Sequence, residues 1–114
     1  MDISAPLKPA VFYILLALAE RDSHGYAVMQ AVRERSAGQM PLRTGSFYRH
    51  LGQLIDAGLV EETPRRPADA DSRRGAYYRL TPRGRERFEQ ERRRLAELVA
   101  VSGGLRRAPR KGHV

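Results

Sequence analysis

The sequence contains no cysteine and no tryptophan. Without cysteine there is no disulfide framework, thiol nucleophile, iron–sulfur cluster or thiolate zinc site. Lysine is nearly absent: among 21 Lys and Arg residues only Lys8 and Lys111 are Lys, and the rest are Arg. Long apolar runs are missing too. The stretch Val11 to Ala19 is too short to span a bilayer. With Asp2 and Lys8 ahead of it, the N-terminus does not read as a secretory signal. These absences predict a cytoplasmic protein without a membrane partner. His24, His50 and His113 are too scattered for a metal site, and no serine has an elbow motif or an evident base. The sequence therefore predicts neither a catalytic group set nor a cofactor.

What remains is small and basic. A chain of 114 residues has room for one domain with a modest core. A hydrophobic fraction of 41% and a charged fraction of 30% suit a globular protein. The net charge of +8 points to an acidic partner, nucleic acid first and an anionic membrane surface second. GC-rich coding also favours Arg, so the positions of the arginines carry more weight than their number.

Residues 1–8 read as a short arm, and Pro9 suits the first position of a helix. The segment from Ala10 to Ala19 is apolar nearly all round, which predicts a helix buried on more than one side, the second side being another subunit. Residues 21–25 read as a turn with Asp22 or Ser23 as the next cap. A second helix is expected from about His24 to Arg35, with Tyr26, Met29, Val32 and Ser36 on one stripe, ended by Ala37-Gly38. A third is expected from about Thr44 to Ala57. Its buried face is Phe47, Leu51, Leu54 and Ile55, and Ser46, Arg49, His50 and Gln53 share the opposite face. Gly58 follows as the left-handed residue at its end.

The period then changes to alternation. Leu59–Thr63 and Ala76–Leu80 read as strands, with Ala76, Tyr78 and Leu80 on one face of the second. Between them lies a polar hairpin tip with two arginine pairs, Arg65-Arg66 and Arg73-Arg74, beside only Asp69 and Asp71. Thr81-Pro82 opens a fourth helix with Thr81 as cap. It is expected to run to about Ser102 and to stop at Gly103-Gly104, with a charged first half and an apolar second half.

The fold class is thus mostly α with a small β-hairpin. A winged helix-turn-helix occupies residues 1–81, a C-terminal dimerisation helix 82–102, and a basic, disordered tail 103–114. Such modules lay the third helix in the major groove and rest the wing on flanking DNA. The expected DNA-binding residues are Arg43, Thr44, Ser46, Tyr48, Arg49, His50 and Gln53, with Arg65, Arg66, Arg73 and Arg74 in the wing. Tyr48 sits between the apolar and polar faces, so core packing and phosphate contact are both open to it.

The motifs resemble one family. Gly45-x-x-Tyr48-x-x-Leu51-x-x-Leu54 is similar to the recognition-helix signature of PadR regulators, and Gly58-Leu59-Val60 follows at the family spacing. His24-Gly25-Tyr26 matches upstream, and Tyr77-Tyr78-Arg79-Leu80-Thr81 with Gly84 matches downstream. Thr44 stands where the family often has Pro, and Phe47 where a smaller aliphatic residue is common. Because the sequence ends one helix after the wing, it resembles the short subgroup. The resemblance implies a bacterial, repressor-like regulator that dimerises through its first and last helices, with Tyr48 on the DNA backbone. It also implies a small aromatic or drug-like effector at the dimer centre. Val11, Phe12, Leu15, Leu95, Leu98 and Val99 are the candidates for that pocket, and the same residues serve to pack a dimer. A homodimer would read an inverted repeat in double-stranded DNA with half-sites about 34–36 Å apart. Two other functions stay open: a winged helix that binds proteins, and non-specific packaging of nucleic acid.

Overall fold

The computed structural model describes residues 6–64 and 75–107. The arginine pairs at 65–66 and 73–74, and the tail beyond 107, lie outside these residues. The elements run α1 (Pro9–Glu20), β1 (Ser23–His24), α2 (Gly25–Arg35), α3 (Thr44–Asp56), β2 (Val60–Thr63), β3 (Tyr77–Leu80) and α4 (Pro82–Arg107). The sheet is antiparallel with strand order β1-β3-β2. β1 is an addition to the expected hairpin. Residues 21–25 do not simply turn: Ser23 pairs with Tyr78 and His24 with Tyr77. On the other side Val60 pairs with Leu80 and Thr63 with Tyr77.

One core joins every layer. Ile14, Leu15 and Leu18 of α1 meet Val28 and Val32 of α2, Phe47, Leu51 and Leu54 of α3, and Leu59, Val60, Leu80 and Phe88. The second side of α1 is covered in part by its own chain, with Phe12 stacked on Phe88 of α4 at 5.3 Å between centroids, while Phe12, Tyr13 and Leu16 stay half-buried. For two of the residues expected at an intersubunit surface this is a correction. Val11 and Leu15 are only 2% and 0% exposed within the single chain and leave no surface for a partner or ligand.

Several faces turn differently from the expected patterns. On α2 the buried stripe is Gly25, Val28 and Val32, while Tyr26 is exposed and accepts a hydrogen bond from the Gln30 amide at 2.6 Å. Ile55 lies outside the buried face of α3. On β3 both Tyr77 and Leu80 are buried: the His24 ring of β1 stands edge-on to Tyr77 at 5.4 Å, and Leu80 joins the core. The cap of α2 is neither Asp22 nor Ser23 but His24, whose Nδ1 accepts the Ala27 N–H at 3.1 Å.

α4 departs most from expectation. Its charged first half is the part that docks. Gly84, Arg87, Phe88 and Glu91 fall on one face and are buried. Glu91 is tied on every side: it accepts the Leu7 N–H at 3.0 Å and two bonds from Arg94 at 2.9 and 2.8 Å, with Arg87 at 3.7 Å. The Arg94 hydrogen bonds first, then the Leu7 N–H and the charges of Arg94 and Arg87, hold its carboxyl well below the usual range, at about 2, against the opposing effect of burial. The same contact ties the N-terminal segment to α4. The helix also runs through Gly103-Gly104 to Arg107. Glycine weakens a helix by about 1 kcal/mol without forbidding it, so two of them do not stop one.

Candidate nucleic-acid interface

Three local devices fix α3. The first is the end of α2. Gly38 N–H reaches back to the Arg33 carbonyl at 2.9 Å and Ala37 N–H to Glu34 at 3.1 Å. Ala37 takes the left-handed conformation (φ 52°) that this termination requires. Buried Ser36 then accepts the Met40 N–H at 3.1 Å, which directs the connector into α3. The second is the apolar face of Phe47, Leu51 and Leu54, all buried. The third is the far end. Gly58 (φ 77°) closes α3, and Leu59 N–H returns to the Leu54 carbonyl at 3.0 Å. Thr81 locks that closure to α4: its hydroxyl donates to the Gly58 carbonyl at 2.6 Å and accepts the Gly84 N–H at 2.9 Å. Gly84 allows this approach, since a Cβ there would lie 1.9 Å from the Leu59 carbonyl oxygen.

With one side of α3 so fixed, helical spacing places Gly45, Arg49, Gly52 and Asp56 on the ridge most opposed to the core. Arg43, Thr44, Arg49 and Gln53 are exposed, and Ser46 is half-buried on the flank. No acidic residue occupies the first turn of α3. An Arg side chain at such a position can bond phosphate or the O6 and N7 acceptors of guanine.

His50 is not a full member of this face. It is half-buried, and its Nδ1 is enclosed without a partner among the described residues. Burial first, then the charges of Arg49 and Lys8, push its pKa down. The imidazole is therefore neutral at pH 7 and offers a polar edge, not a cation. That coupling also reveals Lys8. The sequence leaves Lys8 in a peripheral arm, yet the charge of this exposed residue is felt at His50 of α3.

Tyr48 combines its two readings. Its ring packs edge-on against Phe47 at 4.9 Å and lies on Gly25, where a Cβ would be 2.5 Å from the hydroxyl. The residue is still 48% exposed, with its hydroxyl beside the first turn of α2. Gly25 is thus the reason that a large aromatic ring fits there, a role invisible without the fold.

The other end of the molecule differs. Leu98, Val99 and Val101 on α4 are 54%, 70% and 62% exposed, and Leu95 is half-buried. A groove of about 440 Å³ opens between α1 and α2, lined by Glu20, Arg21, Asp22, Glu34 and Arg35 among others. None of the six residues expected around an effector lines it. Among the described residues no cluster of three His, Asp or Glu side chains could hold a metal, and no helix is long and apolar enough to cross a membrane.

Comparison with known proteins agrees with this geometry. The family model of the PadR-like transcriptional regulators matches residues 14–90. A PadR family transcription regulator from Clostridium difficile R20291 has a similar fold, with 22% identity, a TM-score of 0.71, and 86% of this chain and 98% of that one covered. A PadR-like regulator from Bacillus cereus is similar at 18% identity and a TM-score of 0.70, covering 87% and 92%. An uncharacterized 37.1 kDa protein in transposon TN4556 of Streptomyces fradiae is 36% identical over 89 residues, or 78% of this chain. The chain spans 24% of the length of that relative. PadR-like proteins are DNA-binding transcription regulators, not enzymes. By the family match over most of its described residues and by its winged-helix fold, the chain belongs to the PadR-like family of transcriptional regulators.

Proposed function

We propose that the protein is a cytoplasmic, sequence-specific repressor that binds an inverted-repeat operator as a homodimer. The observation that carries the DNA-reading part is the exposed ridge of α3, with Arg49 on it and exposed Arg43 just ahead of the helix. Arg49, Gln53 and Ser46 read base edges, with neutral His50 as a polar neighbour. Arg43, Thr44, Lys8 and Tyr48 hold phosphates. The wing pairs Arg65-Arg66 and Arg73-Arg74 add contacts on flanking DNA, each contributing to the salt dependence of binding.

The dimer rests on the exposed apolar half of α4. An apolar strip of this kind needs a partner surface. A second copy supplies it, with Leu95, Leu98, Val99 and the uncovered edge of Phe12 meeting across a two-fold axis. A flat aromatic or drug-like effector would enter between these same residues.

Selection of duplexes from a random library by the full-length protein tests the reading, together with sedimentation at micromolar concentration. The expected results are an enriched palindromic site and a dimer. A monomer would remove the inverted-repeat model. Equal retention of all sequences would favour non-specific packaging, and no retention would favour a protein partner.

A further inference from the structure

His50 stands at the border of the α3 face, half-buried, and its two ring nitrogens have different surroundings. Nδ1 is enclosed and has no hydrogen-bond partner among the described residues. A hydrogen bond joins the imidazole to the side chain of Gln53, its neighbour at i+3 on the helix surface. With Nδ1 unpartnered, that bond belongs to Nε2. It favours the protonated ring, so the imidazole N–H donates and Gln53 Oε1 accepts. Burial first, then the charges of Arg49 and Lys8, works the other way and leaves the ring neutral.

These surroundings select one tautomer. A neutral imidazole carries a single N–H. On Nδ1 it would be an enclosed donor with nothing to bond, the rarer kind of buried orphan. On Nε2 it satisfies the bond to Gln53. The consequence falls on Gln53, which is exposed and carries both an acceptor and a donor. A free glutamine amide sets its oxygen and its NH₂ together against N6 and N7 of adenine. Turned with its oxygen to His50, the amide presents only its NH₂ outward. Guanine offers two acceptors, O6 and N7, and fits that edge. Adenine and cytosine each place an amino group in the major groove, and it would meet no acceptor there.

We propose that His50 is a positioning residue that fixes the Gln53 amide as a hydrogen-bond donor, and so makes Gln53 a reader of guanine and not of adenine. The inference rests on the DNA-reading function proposed above and deepens it by naming the base. A His50 that served only packing would change stability without changing which base is chosen.

The test selects duplexes from a random library with the full-length wild-type protein, Gln53→Ala, His50→Ala and His50→Phe. Gln53→Ala locates the base in question as the position where preference disappears. There the wild-type protein should favour guanine over adenine by roughly fivefold or more. His50→Phe keeps a ring at the site and His50→Ala removes it, but both release the amide. Both should shift the preference toward adenine by about fivefold and leave the other positions of the site unchanged. Long-range nitrogen–proton correlation spectra of the free wild-type protein give a readout that does not depend on the variants folding. The His50 ring should carry its proton on Nε2. A proton on Nδ1 would overturn the inference, as would adenine favoured by the wild-type protein or a guanine preference that survives both His50 variants. If every preference survives Gln53→Ala, Gln53 reads no base and the inference alone is lost. If the wild-type protein enriches no duplex, the DNA-reading function fails and the inference falls with it.

Discussion

The two halves of α4 invert the usual relation between residue type and burial. The first half is written in charge, yet it is the part that enters the body, through Gly84, Arg87, Phe88 and Glu91. The second half carries Leu98, Val99 and Val101, yet these are exposed. The first case is physically permitted because the buried charges are paired: Glu91 faces Arg87, Arg94 and the Leu7 amide. The second makes sense if the covering surface comes from outside the chain. Burial within the chain is therefore set by available partners, not by hydrophobicity alone.

The largest effect expected from breaking the docked half is at Gly84. Gly84→Ala drives a Cβ into the Leu59 backbone, and neither backbone can yield without moving the α3–β2 junction. A loss of roughly 3 kcal/mol or more is expected in denaturant unfolding. Wild-type stability in this variant would show that the approach is looser than described.

Glu91→Gln should follow, at about 2–3 kcal/mol at pH 7, since it leaves the buried Arg87 without its carboxylate. The pH dependence sharpens this prediction. The folded pKa of Glu91 lies at about 2, below its ordinary value of 4.5. Its stabilisation is complete above 4.5 and is lost as pH falls from there toward 2. The variant should have a flatter acid limb over that window, and an unchanged limb would assign acid unfolding to other groups.

The exposed half should respond in the opposite manner. Val99→Asp is expected to change the unfolding free energy of the isolated chain by less than about 0.5 kcal/mol. It should nonetheless convert the sedimenting species to a monomer at micromolar concentration. A dimer that survives this charge would move the interface elsewhere. The smallest effect belongs to the exposed pair Glu89–Arg92, which is 3.0 Å apart on the same helix. Glu89→Ala should cost less than about 0.5 kcal/mol. A cost similar to that of Glu91→Gln would erase the distinction between the two kinds of ion pair.

Much of the fold was legible in the sequence. Pro9, Thr81 and Gly58 mark element ends by their own chemistry, and the periodicity of Phe47, Leu51 and Leu54 sets the azimuth of α3. Features that depend on distant partners were not legible. β1 exists because Tyr77 and Tyr78 offer it a strand to pair with. His24 caps α2 although histidine is not among the favoured capping residues. The docked face of α4 reads as solvated until Leu7 and Arg94 are seen around Glu91. For the interface, helical spacing alone identified Arg49 and Gln53 as outward. It placed His50 there as well, because spacing does not reveal the neighbours that half-bury it. Lys8 was missed because its charge acts on His50 from a distant part of the sequence, which helical spacing cannot reveal.

The most direct test of the central claim is fluorescence anisotropy of wild-type protein and Arg49→Ala on an enriched and a shuffled duplex, across salt concentrations. The wild-type protein should prefer the enriched duplex by about 10³ or more at physiological salt. Arg49→Ala should lose about ten- to hundredfold on that duplex and far less on the shuffled one. Equal wild-type binding to both duplexes, collapsing together as salt rises, would contradict the account and leave general basicity as the source of binding.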